Sequence, residues 1–217
     1  MAPTSMVTTP TPITTIRPGQ SAQAVGHLAK AAVADAGLRV PRPVPSKQNR
    51  HLERVQGHWV DVLTWMPGDS LGERLGTCSE AQALSWFERL GEHMAQLHLA
   101  SDAWVKPADF SRVAWDVQGL LGDTPLWGPF WAHPHLSPEA QVLFKRFRAL
   151  AAEHLSAIHD RLDYGLIHAD LVRENVLIDP EGRMGLLDFD DGGWGYRLFD
   201  LATALLKFAD DPHFAGR

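Results

Sequence analysis

The stretch GLIHADLVRENVLIDPEGRMGLLDFDDGGWGYRLFDLATAL, residues 165–205, decides how this chain is interpreted. It alternates short apolar runs with acidic and amide residues, a pattern typical of short strands whose ends carry polar loops. Asp170 is followed five residues later by Asn175, in a tight loop before an apolar run. Asp188 comes thirteen residues after Asn175, at the end of the next apolar run.

These three residues have the chemistry that phosphoryl transfer needs. A carboxylate such as that of Asp170 can accept or orient the proton of an attacking hydroxyl. The amide oxygen of Asn175 can bind a metal without adding negative charge, and Asp188 offers a hard oxygen ligand for Mg²⁺ on nucleotide phosphates. Each piece alone also fits a capped loop or a strand-end turn, but their order and combination favour a phosphotransferase site.

The same stretch resembles the catalytic signature of the aminoglycoside phosphotransferase and choline kinase superfamily, with the nearest likeness to bacterial homoserine-kinase-like and stress-response-kinase-like phosphotransferases. VDVLTWMPGDSLG (60–72), LGEHMAQLHLAS (90–101) and WDVQGLLGDTPLWGPFW (115–131) agree with that branch. The resemblance covers roughly residues 13–209. It implies an α+β, two-lobed, protein-kinase-like fold with a reduced N-terminal lobe and a mainly helical C-terminal lobe.

The resemblance also implies residue roles. Asp170 is expected to be the catalytic base or hydroxyl-orienting group, with Mg²⁺ held by Asn175 and Asp188. ATP is the implied phosphoryl donor, and its adenine is expected to meet the backbone of a hinge formed by Thr64, Trp65 and Met66.

Four further residues receive structural or open roles. His168 is expected to pack and hydrogen-bond within the catalytic loop, and Asp200 to stabilise that loop through backbone contacts. Asp190 and Asp191 either face an amine-bearing acceptor or cap their loop, and the sequence leaves both interpretations open.

The chain divides into three predicted parts. Residues 1–15 are rich in Thr and Pro and predict a disordered or extended arm. Residues 16–66 predict a partial N-terminal lobe with one helix and short strands, and residues 67–217 predict a catalytic C-terminal lobe that is truncated relative to the family. Helices are predicted at Ser21–Ala36, Ser79–Ala100, 137–162 and Phe199–Ala209, and strands at 50–57 and 58–66.

The N-terminal part departs from the family pattern. No glycine-rich loop is found, and the position of the phosphate-binding cation falls near Thr14. The expected glutamate partner falls near Gly26 or His27, and Lys30 and Lys47 lie in a helix and a Pro-rich connector. We therefore expect an incomplete or degenerated phosphotransferase with impaired ATP clamping. A pseudokinase-type binding module is the alternative, and a metal-dependent hydrolase is a weaker third interpretation.

Composition excludes several other classes. The 20 basic and 26 acidic residues give a net charge of −6 without a long basic run, which disfavours a nucleic-acid partner. No membrane partner is expected, and a cytoplasmic location with a small hydroxyl-bearing acceptor is the expectation. The lone Cys78 is expected to be a small packing residue, and the tryptophans at 115, 127, 131 and 194 are expected to serve in core packing and loop anchoring rather than in an aromatic cage.

Overall fold

Small sheets and helices alternate along the chain, as expected for an α+β protein. A computed structural model describes residues 13–16, 32–108 and 110–208. These residues contain three three-stranded sheets and several helices, which confirms the predicted fold class.

The first sheet forms around a tight hairpin between Glu53–Val55 (β2) and His58–Val62 (β3). Its loop residues Gln56 and Gly57 have φ of 50° and 86°, the left-handed pair that a two-residue hairpin turn of type I′ needs. Ile13–Ile16 (β1) pairs antiparallel with the other edge of β3, which gives the order β1-β3-β2. The predicted boundary at residue 15 therefore falls inside β1, and residues 1–12 lie outside the described residues.

A short helical segment, residues 32–35 (α1), belongs to the helix predicted over Ser21–Ala36. A glycine just after a helical run predicts a helix stop, and α1 does end before Gly37, which has φ of 95°. The Gly37 N–H donates to Ala34 and the Leu38 N–H donates to Val33, the hydrogen bonds of a Schellman motif. Residues 21–31, which complete the predicted helix, lie outside the described residues.

The second and third sheets carry the acidic stretch. The second sheet has the order β4-β7-β8 and consists of Asp69–Ser70 (β4), Val176–Ile178 (β7) and Met184–Leu186 (β8). The third has the order β5-β9-β6 and consists of Ala114–Trp115 (β5), Tyr164–Ile167 (β6) and Gly193–Tyr196 (β9). Strands β7 and β8 are fully buried, which matches their uninterrupted apolar sequence.

The helices begin at the residues that their caps predict. Ser79 caps the long helix through a reciprocal capping box with Gln82, and Ser137 caps the next long helix, which has Pro138 at its first position. The helical spacing of apolar residues in the first of these helices predicts that Leu84 lies on its buried face, but Leu84 is 55% exposed. The bounds are Leu71–Leu75 (α2), Glu80–Ala103 (α3), Val117–Leu121 (α4), Pro138–Ile158 (α5) and Arg197–Leu205 (α6).

The main core joins α1, α2, α3, α6 and the second sheet. Its side chains come from all of these elements: Val33, Leu71, Leu90, Leu97, Leu171, Ile178, Leu186 and Ala204 are among them. This core places the second sheet against α3, and the site described below lies at the ends of its buried strands. In the described ranges, no helix has the length and apolar character that crossing a bilayer requires.

Candidate active site

The loop after β6 is held by a buried carboxylate of α6. Asp200, in the first turn of α6, accepts hydrogen bonds from the backbone N–H of His168 (3.1 Å) and of Ala169 (2.7 Å). His98 of α3 lies 2.8 Å from the same carboxylate. Ala169 has φ of 69°, a left-handed conformation that is uncommon outside glycine and requires such support. The expected structural role of Asp200 therefore matches its observed backbone contacts.

His168 connects this loop with the turn that carries Asp188. Its ring is buried, and its Nδ1 accepts the backbone N–H of Asp170 at 3.3 Å. The Nε2 must then carry the proton, which it donates to the carbonyl of Leu187 at 2.7 Å. Burial lowers the pKa of His168, so the neutral ring that makes both bonds is favoured.

Asp170 and Asn175, two of the predicted site residues, are in direct contact. The Nδ2 of Asn175 donates to the backbone carbonyl of Asp170 (2.9 Å) and to its carboxylate (2.8 Å). Both amide protons are therefore engaged, and the amide oxygen is the group that remains for a ligand. The Leu187 N–H donates to the backbone carbonyl of Asn175 at 2.8 Å, and this bond places the turn that carries Asp188 beside Asn175.

The electrostatics of Asp170 indicate that the acidic turns converge. Partial burial raises the pKa of Asp170, and the negative charges of Asp191 and Asp188 raise it further. The hydrogen bond from Asn175 opposes this shift. Asp188 itself is exposed, with φ of 57°. Two non-glycine residues in left-handed conformation thus flank the same acidic centre, a feature that clusters at functional sites.

The donor set fits a magnesium ion. Asp188 supplies carboxylate oxygens and Asn175 an amide oxygen, both of them hard ligands. Within the described ranges, no group of three or more His, Cys, Asp or Glu side chains could hold a metal. A site with few protein ligands suits Mg²⁺, which usually takes one or two carboxylates and completes its shell with water and substrate phosphates.

The predicted hinge residues lie along the chain between β3 of the first sheet and β4 of the second. The Thr64 N–H donates to the carbonyl of Arg42 (2.9 Å), and its hydroxyl oxygen accepts the Arg42 N–H (2.9 Å). Trp65 is 63% exposed, and the methyl group of Met66 lies against Gly185 of β8. Among the described residues, the backbone of neither Trp65 nor Met66 makes a hydrogen bond.

Arg112 is a residue that the sequence did not single out. Its guanidinium is largely buried and donates to the backbone carbonyls of Gly192 (2.5 Å), Asp190 (2.6 Å) and Phe189 (3.4 Å). Burial lowers the pKa of Arg112, while the charges of Asp190 and Asp191 oppose that shift. Arg112 thus fixes the shape of the turn that follows Asp188, and no local pattern links it to that turn.

Two of the four tryptophans also contact the acidic turn. Trp115 and Trp131 are buried, as expected for packing residues. Trp127 is 53% exposed, and its Nε1 donates to the carboxylate of Asp191 at 3.3 Å, a contact that fits the expected loop anchoring. The Nε1 of Trp115 donates to the backbone carbonyl of Asp191 at 2.8 Å. Both tryptophans therefore contact the acidic turn directly.

The family model described as "Phosphotransferase enzyme family" (APH) matches residues 15–217. The chain belongs to this family. It is 30% identical over 194 residues to the homoserine kinase of Cupriavidus taiwanensis, an alignment that covers 83% of this chain and 51% of that protein. A homoserine kinase of Methylobacillus glycogenes is 27% identical, with 85% and 53% covered. The chain thus spans about half the length of the curated relatives it matches.

Two solved structures of kinases share the fold. A microcompartment-associated aminopropanol kinase superimposes with a TM-score of 0.75 at 27% identity, covering 94% of this chain and 64% of that one. A choline/ethanolamine kinase family protein from Mesorhizobium loti gives 0.56 at 20% identity, with 90% and 58% covered, which bears on the fold alone. The protein-kinase-like fold expected from the sequence is confirmed.

Proposed function

We propose that this chain transfers the γ-phosphoryl group of ATP to a hydroxyl group of a small molecule. The observation that carries the proposal is the pair of joined acidic turns. Asp170 and Asn175 are hydrogen-bonded to each other. Leu187, which precedes Asp188, is hydrogen-bonded to both His168 and Asn175. A carboxylate base beside an amide and a second carboxylate is the arrangement that metal-assisted phosphoryl transfer requires.

In this proposal, Asp170 accepts or orients the proton of the acceptor hydroxyl. The raised pKa of Asp170 increases its tendency to take that proton. The Asn175 amide fixes the rotamer of the Asp170 carboxylate, and His168 fixes the backbone beneath it. Asn175 and Asp188 are the residues that hold Mg²⁺. When bound, this ion neutralises charge on the nucleotide phosphates.

We propose that the adenine of ATP contacts the chain at residues 64–66. The backbone of Trp65 and Met66 supports this placement, because it makes no hydrogen bond to the described residues, whereas Thr64 is already engaged by Arg42. The parts joined by this hinge, residues 16–66 and 67–217, are then the two lobes. The names of the relatives, homoserine kinase and aminopropanol kinase, support an acceptor that carries both a hydroxyl and an amine.

The test is ATP consumption by the purified chain over a panel of amino alcohols at saturating Mg²⁺. Asp170→Ala should lower the rate by ~10²–10⁴-fold, the usual effect of losing a positioned acid–base group. Asp188→Ala should lower it comparably through loss of the metal. Asp160→Ala is the control. Asp160 is exposed and lies before the start of β6, whereas the loop with Asp170 follows the end of this strand. Wild-type turnover in Asp170→Ala or Asp188→Ala would reject the assignment.

The impaired ATP clamp stays a prediction. It concerns position 14, of which the structure describes the backbone in β1, and positions 26, 27 and 30, which lie outside the described residues. A charge-assisted bond to phosphate contributes roughly 1.5–3 kcal/mol, so its loss weakens binding about ten- to a hundred-fold. Calorimetric titration with Mg-ATP should therefore show weak binding. Micromolar affinity would show that another group of this chain binds the phosphates.

A further inference from the structure

An apolar cavity of about 370 Å³ is lined by two tryptophans that donate hydrogen bonds to Asp191. It is enclosed by β5, α4 with its following loop, α5 and the start of α6. Its volume falls within the range of small-molecule pockets, roughly 300–1,000 Å³. The lining is almost entirely carbon, from side chains that include Trp115, Leu120, Trp127, Phe130, Phe147 and Phe199.

The cavity is connected to the proposed catalytic carboxylate through a single residue. Two of its wall residues, Trp115 and Trp127, donate hydrogen bonds to Asp191. Asp191 in turn contributes negative charge at Asp170. Asp191 therefore contacts the aromatic wall and also lies close enough to the proposed catalytic base to affect its charge.

The walls of the cavity are fixed before any ligand arrives. Arg148 of α5 donates to the carbonyl of Leu121 (2.6 Å) and to Asp123 (2.7 Å), and its guanidinium lies 4.1 Å from the ring of Trp131. These contacts join α5 to the end of α4. The rings of Trp115, Trp127 and Phe199 pack together with centroid distances of 4.8–5.6 Å. A space of this size beside packed rings differs from the close packing of protein interiors, and half-exposed Trp127 gives it an open side.

We propose that this cavity is the acceptor subsite and that it selects an amino alcohol carrying a compact apolar or aromatic group. The apolar group occupies the cavity, the ammonium group faces Asp191, and the hydroxyl reaches Asp170. The proposal rests on the function proposed above and narrows its substrate class. A highly hydroxylated acceptor is disfavoured, because it cannot cover the apolar walls and loses hydration inside them.

The transfer step then balances as follows. The acceptor oxygen bonds to the γ-phosphorus while the bond from that phosphorus to the bridging oxygen of ADP breaks. The hydroxyl proton passes to the carboxylate of Asp170, and ADP leaves with the electron pair of the broken bond. The cavity takes no part in this chemistry, and its role is to hold the acceptor so that its hydroxyl faces Asp170.

The subsite is tested by calorimetric binding in the absence of nucleotide, with 2-aminoethanol and phenylalaninol as probes. Both carry the same amino alcohol head, and only phenylalaninol has an aromatic group. Burying this group should tighten binding at least about ten-fold. Ala151→Phe fills the cavity from α5 and should abolish the difference, whereas Ala149→Phe, an exposed position on the same helix outside the lining, should keep it.

A second variant guards against misfolding of Ala151→Phe. Phe147→Ala removes one wall from a 56% exposed position and should also weaken phenylalaninol binding. Equal affinity for both probes, or a preference that survives in Ala151→Phe, overturns the subsite. Phenylalaninol that binds in this manner but yields no ADP with Mg-ATP supports the subsite while the phosphotransferase proposal fails. If 2-aminoethanol yields ADP but phenylalaninol binds no more tightly, the phosphotransferase proposal is supported and the subsite proposal fails.

Discussion

At the residue scale, one buried imidazole links the two acidic turns. His168 accepts the Asp170 N–H at Nδ1 and donates from Nε2 to the Leu187 carbonyl. A proton added at Nδ1 would face the Asp170 N–H and break that bond. Burial also lowers the pKa of His168, because it disfavours the charged ring. Burial and hydrogen-bond geometry therefore both favour the neutral form.

We expect His168 to make the stability of the fold depend on pH. Because its pKa is lower in the folded chain, the unfolded chain binds this proton first as pH falls through the ordinary histidine value of about 6.5. Folding stability from this residue is therefore complete above that pH and decreases below it. Urea unfolding at pH 7.5, 6.5 and 5.5 should show a steeper loss in the wild type than in His168→Gln. Equal slopes would indicate that His168 titrates normally.

Local spacing made part of the site predictable. Asp170 and Asn175 are five positions apart in one loop, so the sequence itself brings them together. Arg112 and Trp127 were not assigned to the site, because they reach the acidic turn across 78 and 64 positions of sequence. Such contacts are set by how the third sheet packs with α4 and α5, which no motif encodes.

At the scale of elements, α6 positions the loop that carries Asp170 through its first turn. The Asp200 carboxylate satisfies two buried backbone N–H groups of the loop and contacts His98 of α3. Thr203, one turn later, accepts the Leu171 N–H at 3.3 Å. The loop is thus fastened to a helix rather than to its own strand, which explains how Ala169 keeps a left-handed conformation.

We expect Asp200→Ala to destabilise the fold by about 2–5 kcal/mol, since each buried group left without a partner costs roughly 1–3 kcal/mol. Urea denaturation measures this loss. Leu198→Ala on the same helix is the control, because Leu198 is 63% exposed and its truncation should change stability by less than about 0.5 kcal/mol. A loss in Asp200→Ala no larger than in Leu198→Ala would contradict the bracing role of α6.

Helix ends were more predictable than short strands. Ser79, Ser137 and Gly37 mark helix termini by side-chain or backbone chemistry that acts over a few residues. The two-residue strands β4 and β5 were missed, because so short a strand exists only through pairing with distant partners. The missing signal is tertiary, so a sequence pattern cannot supply it.

At the scale of the whole molecule, the proposed site lies where the second and third sheets approach each other. Asn175 precedes β7 and Asp188 follows β8, while the loop with Asp170 leaves β6. The aromatic cavity adjoins the third sheet through Trp115. In this proposal, the residues that hold the metal and the nucleotide lie at the second sheet, and the cavity for the acceptor molecule lies at the third. His168 and Asp191 connect the two parts.

The central claim is most directly tested by following the γ-phosphorus of ATP by ³¹P NMR with the purified chain, Mg²⁺ and an amino alcohol. Transfer to the hydroxyl produces a phosphate monoester on the acceptor together with ADP. We predict this monoester for the wild-type chain and a rate lower by about 10²–10⁴-fold for Asp170→Ala. Inorganic phosphate without monoester would indicate a hydrolase, and bound ATP that stays intact would indicate a non-catalytic module. Either result would contradict the assignment of Asp170, Asn175 and Asp188 as a phosphotransferase site.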